Sequence, residues 1–248
     1  MKTIVILFFI IPCASVFSQD LFSEIESGNF LNVSNYSGDV NIKNKEGATA
    51  LMWAIYHSDI KMLQVLITKG ADINLNGTIQ YSDNSGNNYC YGSCLAVASG
   101  ENKIDILKYL VEEKNIPVNT REYNPKTKRN DGWTALEWAA VKGNYPTLKY
   151  LISKNADINS ITSEYHRTPL ILAVLNKNYN CVKLLVKSGA TVDTTDLLDK
   201  SPLIYAIETK QEKATRFLYK KSSDNKEIDK NIRDLLKDTW GVESVNDI

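Results

Sequence analysis

A six-residue pattern recurs along most of the chain and constrains the fold more than any single residue. Each copy has a hydroxyl side chain first, a leucine third and an alanine last, and the successive leucines are 44, 41, 34 and 33 residues apart. Because a recurring unit of 20–50 residues is typical of modular repeat proteins, we expect an elongated stack of units that pack on their neighbours. The copies span residues 49–54, 93–98, 134–139, 168–173 and 201–206.

A second pattern follows the first in register and completes the repeating unit. It is an apolar helix-like segment followed by a turn, as in 63–67 with 70–74, 148–152 with 155–159, and 182–186 with 189–193. Both halves together resemble the ankyrin repeat family. The resemblance implies an all-α solenoid of about six helix-turn-helix repeats with extended β-turn fingers. The repeats are expected near 20–40 (degenerate), 41–73, 74–118, 119–158, 159–192 and 193–222.

Several repeat positions have clear structural roles. The hydroxyl residues, such as Thr49 and Thr134, are expected to cap the first helices, and Gly70 and Gly189 to end the second helices in the left-handed conformation. Asn155 and Asn115 are expected to take the place of those glycines. Trp53 and Trp138 are expected in the core, whereas Trp133 is expected to point outward from a finger. Ankyrin repeats usually have histidine after the leucine, and this chain does not: those positions are Met52, Ala96, Glu137, Ile171 and Ile204.

The two ends of the chain differ from the repeats. Lys2, an apolar run over 4–11 and small residues over 14–18 are typical of a signal peptide, so we expect residues 1–18 to be removed. Eight apolar residues are too few to span a bilayer, which takes about 20. The alternatives are a retained anchor and lipidation at Cys13. The expected destination is the periplasm, or else the extracellular space.

Residues 223–248 have helical apolar spacing, which predicts an amphipathic helix that caps the array or docks a partner.

Two insertions distinguish this chain from a regular array. Residues 75–92 form a long finger whose Asn76-Gly77 pair favours a two-residue hairpin turn, and residues 120–131 lengthen the next finger. The first insertion is rich in Tyr, Asn, Ser and Gly, as protein-contacting loops are. Leu197 and Leu198 are expected to be exposed or covered by the C-terminal helix. The candidate protein-binding residues are Tyr56, His57, Tyr81, Tyr89, Tyr91, Tyr123, Trp133, Lys142 and Arg167.

The sequence offers little reactive chemistry. Cys90 and Cys94 are close enough for a disulfide or are two reduced thiols, and Cys181 is expected to be a buried free thiol. His57 and His166 are the only histidines, and they fall in different repeats. We therefore expect no catalytic residue, no metal and no cofactor. The 29 basic and 29 acidic residues balance, which argues against a nucleic-acid partner.

The resemblance implies an exported, monomeric, non-enzymatic scaffold that binds another protein through its concave face and long fingers. A specific inhibitor or immunity protein that neutralises a secreted toxin or enzyme is the alternative within this class. A hydrolase or redox enzyme that uses Cys90 and Cys94 is the rival from another class.

Overall fold

The computed structural model describes residues 20–57, 59–82, 88–124, 127–129, 131–222, 230–242 and 244–245. The expected signal peptide lies outside these residues. Six helix pairs follow one another in the described chain, and a last helix, α13, follows them. The pairs are α1 (Leu21–Glu26) and α2 (Phe30–Asn35), α3 (Ala50–Tyr56) and α4 (Ile60–Thr68), α5 (Cys94–Gly100) and α6 (Ile104–Lys108), α7 (Ala135–Lys142) and α8 (Tyr145–Ser153), α9 (Pro169–Leu175) and α10 (Tyr179–Lys187), and α11 (Pro202–Glu208) and α12 (Glu212–Tyr219).

The first helix of each later pair begins as the sequence predicts. The hydroxyl oxygens of Thr49, Thr134 and Thr168 accept hydrogen bonds from N–H groups three residues further on, at 3.2–3.3 Å. Ser93 and Ser201 do the same. Each hydroxyl satisfies one of the N–H groups that a helix start leaves without a partner.

The helix ends also repeat. Helix α6 continues directly as a π-helix over Tyr109–Glu113. Two residues after the end of each of these four second helices the chain has positive φ: Gly70 and Gly189 at 90° and 98°, and Asn115 and Asn155 at 56° and 63°. These are the residue types that adopt the left-handed conformation most readily, so the predicted stops are confirmed.

The core is continuous along the array. The first helices contact one another in chain order, from α1 and α3 to α9 and α11. The alanine that ends each sequence pattern, such as Ala54 or Ala173, has no exposed surface, so a larger side chain there would overpack neighbouring helices. This is the all-α repeat solenoid that the sequence predicts.

Asparagine and glutamine side chains join one repeat to the preceding one. The side-chain amide of Asn144 donates to the carbonyls of Ser99 and Gly100, at 2.8 and 2.7 Å. Asn178 donates to Ala140 and Val141 one repeat further on, and Gln211 to Val174. These bonds satisfy carbonyls at the ends of the first helices and tie neighbouring repeats together.

Glu137 supplies a further tie at the position where ankyrin repeats usually have histidine. Its Oε2 atom accepts from the backbone N–H of Thr134 at 3.0 Å, completing a capping box. Its Oε1 atom accepts from the hydroxyl of Ser160, in the next repeat, at 2.7 Å. The missing histidine therefore does not leave this junction without a hydrogen bond.

The first insertion forms an antiparallel hairpin of β1 (Ile79–Ser82) and β2 (Asn88–Tyr91). The predicted turn at Asn76-Gly77 is wrong, because both residues precede β1 and neither has the positive φ that a type I′ turn requires. Gly77 has a different role. A Cβ atom there would lie 2.6 Å from Met52 Sδ and 3.0 Å from the backbone nitrogen of Thr49, so only glycine allows this close approach.

The C-terminal helix α13 (Lys230–Trp240) packs on α11 and caps the last repeat. Leu236 is fully buried, and the Trp240 indole N–H donates to the carbonyl of Ile207 at 3.1 Å. The helix therefore covers apolar surface that a further repeat would otherwise bury.

Candidate protein-binding site

Two pairs of neighbouring fingers present the most distinctive side chains. The inserted finger pair comprises residues 75–92 and 120–133. The C-terminal finger pair comprises residues 159–167 and 192–200. They differ in where their aromatic side chains lie.

Two described aromatic residues of the inserted finger pair, Tyr91 and Trp133, pack toward the core. Tyr91 has no exposed surface, and its ring centroid lies 4.5 Å from that of Trp138. Trp133 is half-buried and also packs on Trp138, with its ring centroid 4.8 Å from that of Trp138. The expectations of an exposed Tyr91 and an outward-pointing Trp133 are therefore wrong, because both gain more by packing on the buried indole.

The other candidate binding residues of the inserted finger pair are Tyr123, Tyr81 and Tyr89. Tyr123 is half-buried. Tyr81 and Tyr89 are paired across the hairpin, but their side chains lie outside the described part of the structure.

Lys142 lies beside this aromatic cluster. The Tyr91 hydroxyl donates to Glu101 Oε1 at 2.8 Å, and Lys142 Nζ lies 3.7 Å from the same oxygen. The ammonium also lies 5.8 Å from the centroid of the Tyr91 ring. Lys142 is thus a half-buried cation held by a carboxylate and an aromatic face. It remains a candidate protein-binding residue beside the inserted finger pair.

Glu122 lies beneath the inserted finger pair and is 5% exposed. The backbone N–H of Gly92 donates to its Oε2 atom at 2.6 Å, and the Trp138 indole N–H donates to its Oε1 atom at 3.0 Å. Burial raises the pKa of Glu122 to about 8, although these N–H groups and that of Trp133 oppose the shift. A buried acid whose described side-chain contacts include no cation is unusual, and no sequence pattern marks this residue.

Tyr56 and His57 form an aromatic group with Trp53 at the end of α3. Their ring centroids lie 6.0 and 4.7 Å from that of Trp53. His57 is exposed, and Tyr56 and Trp53 are half-buried. The Trp53 indole N–H is buried without a hydrogen-bond partner in the described structure. Trp53 is therefore less enclosed than expected, whereas Trp138 is buried in the core as predicted.

The C-terminal finger pair turns its apolar residues outward. Tyr165 is 45% exposed, and Leu197 and Leu198 are 57% and 53% exposed. The backbone N–H of Leu197 donates to the carbonyl of Tyr165 at 3.0 Å, which joins the two fingers. Ile161, at 42% exposure, belongs to the same pair. We call these four residues the fingertip patch.

Arg167 holds the fingertip patch in place. Its guanidinium lies 4.5 Å from the Tyr165 ring centroid, and its Nε atom donates to Asp196 Oδ2 at 3.1 Å. The Tyr205 hydroxyl donates to the same oxygen at 2.6 Å. Burial opposes ionisation of Asp196, but the donors around it outweigh this effect and lower its pKa. Arg167 therefore supports the surface from behind Tyr165.

Arg121 connects the two finger pairs. It donates to the carbonyls of Gly132 and Ile161, both at 3.0 Å, and lies 3.5 Å from Glu137 Oε1. Few sequence signals could have revealed Arg121, Glu122 and Tyr165, because insertions obscure their repeat positions and similar residues occur in solvated loops.

Neither of the two described buried cysteines is suited to act as a nucleophile or a redox thiol. Cys94 and Cys181 are free thiols whose pKa values are raised by burial to about 12 and about 11. Such thiols carry almost no thiolate at neutral pH. Cys181 is the buried free thiol that the sequence predicts, and the side chain of Cys90 lies outside the described residues.

The described chain lacks two further features. It contains no group of three or more His, Cys, Asp or Glu side chains placed to hold a metal ion. No helix there has both the length and the apolar character needed to cross a membrane.

Comparison with protein-family models identifies two segments. Residues 136–186 match a model described as "Ankyrin repeats (many copies)", and residues 46–77 match one described as "Ankyrin repeat". Neither is a catalytic family.

Curated relatives are similar over the repeat region. The chain is 26% identical over 172 residues to a transient receptor potential cation channel, subfamily A member 1, of Drosophila melanogaster, covering 68% of this chain and 13% of the channel. It is 29% identical over 169 residues to a putative ankyrin repeat protein of Acanthamoeba polyphaga mimivirus, covering 68% and 20%. A putative ankyrin repeat protein of Rickettsia felis is 36% identical over 99 residues, covering 40% and 41%. The chain thus spans less than half the length of these relatives.

Proposed function

We propose that this ankyrin-repeat protein is a non-enzymatic scaffold that binds another protein through its fingers and the adjacent face of its first helices. The observation that carries the proposal is the fingertip patch of Ile161, Tyr165, Leu197 and Leu198, which is apolar, exposed and held by hydrogen bonds.

The patch has the properties of a binding surface. Tyrosine offers a large amphipathic area and loses little side-chain entropy on binding. Here the guanidinium of Arg167 stacks on Tyr165, and Asp196 holds the guanidinium. Because the ring is already positioned, a partner loses less free energy in ordering it.

The ankyrin architecture supports the same interpretation. Stacked repeats have extended surfaces that are commonly used to bind proteins, and the matching family models are of this class. Fold alone does not identify a partner, so the proposal stops at a protein whose surface has apolar side chains to cover the patch.

Affinity purification with matched variants tests the proposal. The full chain, tagged at its C-terminus, is expressed in its source organism and compared with Tyr165→Ser and with a Leu197→Ser/Leu198→Ser double variant. Tyr145, at 41% exposure on α8, and Leu31, at 70% on α2, give controls of the same residue types. A protein that wild type and both controls recover, and that the finger variants lose, supports the proposal. Equal recovery by all variants contradicts it.

Export is part of this proposal and is supported by the apolar run at 4–11 followed by small residues. N-terminal sequencing of the protein from fractionated cells tests it. A mature chain that begins near Gln19 outside the cytoplasm is the expected result, and an intact Met1 in the cytoplasmic fraction would contradict it.

A further inference from the structure

Two N–H groups from different parts of the molecule converge on the Glu122 carboxyl group, which itself belongs to the second inserted finger. The Gly92 backbone N–H comes from the base of the first inserted finger, and the Trp138 indole N–H comes from α7. One buried side chain therefore joins both inserted fingers and the helix beneath them.

The surrounding backbone is shaped for this carboxyl group. A Cβ atom on Gly92 would lie 2.8 Å from the carbonyl oxygen of Tyr123 and 3.1 Å from Glu122 Cβ. A Cβ atom on Gly132 would lie 2.6 Å from Glu122 Cγ. Two glycines thus allow the fingers to close around Glu122, and either methyl group would push them apart.

We propose that Glu122 is a proton-dependent latch between the inserted fingers, which holds them closed while its carboxyl group is protonated and loosens when the group ionises. The inference concerns the inserted finger pair and does not depend on whether the fingertip patch binds a protein.

The chemistry of the contacts gives the direction. When the fingers are closed, the carboxyl group is shielded from water and its described contacts include no cation, so its charge is poorly stabilised. When the fingers open, water solvates that charge. Hydrogen bonds to an ionised acceptor are roughly twice as strong as those between neutral groups, so the two N–H donors offset part of the cost of burying the charge, but ionisation still favours the open arrangement. Burial favours the neutral form and raises the pKa of Glu122 to about 8, so both forms are present near neutral pH.

The charged and titratable groups around the cluster come from each packed element. Glu137 on α7 contacts Arg121, and its negative charge also favours the neutral form of Glu122. Glu101, at the end of α5, and Lys142 on α7 interact with each other and with Tyr91. Asp131 on the second finger accepts from the hydroxyl of Thr127.

Nuclear magnetic resonance of the full chain tests the latch directly. The side-chain carboxyl ¹³C shift of Glu122 and the indole ¹H shift of Trp138 are followed from pH 5 to pH 10. We expect both to change with one midpoint near pH 8, the indole proton moving downfield as Glu122 ionises. The hydrogen-exchange protection factor of the Gly92 amide should fall about tenfold between pH 5 and pH 8, because ionisation favours the open fingers from which this amide exchanges.

Two variants identify the titrating group. Glu122→Gln should abolish the Trp138 transition, whereas Glu137→Gln, which removes the other buried acid, should keep it. If Glu122→Gln does not fold, the wild-type carboxyl shift still decides: a midpoint below pH 6 overturns the proposal. A Trp138 transition that persists in folded Glu122→Gln, or a Gly92 protection factor that does not change, also overturns it.

Discussion

Glu122 and Asp196 occupy the same position in the two finger pairs but have opposite surroundings. The backbone N–H of each donates, at 3.2 Å, to the carbonyl of the residue before the next capping hydroxyl, namely Trp133 and Lys200. Both side chains are almost fully buried and both accept backbone N–H groups. Asp196 also has the guanidinium of Arg167 at 3.1 Å, whereas Glu122 has an indole N–H instead.

The difference shows how one cation changes both the chemistry and the surface of a finger. Arg167 helps to keep Asp196 ionised and places its guanidinium against the exposed Tyr165 ring. Among the described residues no cation contacts the Glu122 carboxyl group, and burial dominates its pKa. The nearby aromatic residues Tyr91 and Trp133 pack inward on Trp138. One finger pair therefore has an exposed apolar surface and the other is closed over a buried acid.

Replacing Arg167 by methionine should produce the largest effect. Asp196 would remain buried with its charge poorly compensated, and breaking such a pair costs about 3 kcal/mol of the free energy of unfolding. Urea denaturation at pH 7 measures the loss. Lys200→Met is the control, because the Lys200–Glu208 pair is about one-third exposed and should contribute less than about 0.5 kcal/mol. Similar losses for the two variants would show that the buried cation is not the distinguishing feature.

The two acids should give opposite dependences of stability on pH. The pKa of Glu122 is raised from 4.5 to about 8, so the folded protein holds this proton and loses stability as pH rises from about 5 to 8. The pKa of Asp196 is lowered, so its contribution is lost only as pH falls below its unfolded value near 4.

Urea denaturation across pH separates these contributions. We expect wild type to lose about 2 kcal/mol between pH 5 and 8, since relaxation and water penetration reduce the full penalty of a buried charge. Glu122→Gln should remove most of that slope, and Asp196→Asn should leave it in place. A slope that is unchanged by Glu122→Gln would contradict the assignment.

Gly132→Ala should open the closed finger pair. Its methyl group would lie 2.8 Å from the carbonyl oxygen of Glu122, a backbone atom that cannot rotate away. We expect a loss of about 1.5 kcal/mol, typical of overpacking, and a red shift of tryptophan fluorescence as water reaches Trp133. Ser163→Ala, at an exposed position of the open pair, should change stability by less than about 0.5 kcal/mol.

The smallest change in stability should have the same size in both finger pairs. Lys128 in the inserted pair and His166 in the C-terminal pair have φ values of 57° and 53°. Left-handed φ costs a non-glycine residue about 1–2 kcal/mol, and glycine's extra freedom in the unfolded chain offsets about half of that. Thermal denaturation of Lys128→Gly and His166→Gly should therefore show a gain of about 0.5 kcal/mol each. A gain in only one would show that the fingertips differ in strain as well.

The sequence predicts the array well because its determinants are local and repeated. Capping by Thr49 and Thr134, the left-handed stops at Gly70 and Asn155, and the burial of Trp138 each follow from a residue type at a fixed repeat position. The outward-facing Leu197 and Leu198 could be anticipated in the same way, since they occupy the end of a finger.

The finger chemistry was harder to predict, because it depends on contacts between residues far apart in sequence. The bond from Gly92 to Glu122 joins residues 30 apart, across an insertion that has no counterpart in a regular repeat. Tyr91 and Trp133 were expected on the surface from their place on fingers, yet both rings pack on the buried Trp138 indole. Composition suggested a tyrosine-rich binding loop, and it could not show which tyrosines pack inside.

Site-specific photocrosslinking tests whether the fingertip patch binds a partner protein, because it identifies the surface that the partner contacts. A photoreactive phenylalanine derivative replaces Tyr165 in one variant and Tyr145 in another, two tyrosines of nearly equal exposure at 45% and 41%. We expect position 165 to form a specific covalent adduct with another protein, and we expect that adduct to be lost when Leu197 and Leu198 are also changed to serine. Position 145 should form no such adduct. Adducts of the same yield from both positions, or adducts from position 145 alone, would contradict this expectation.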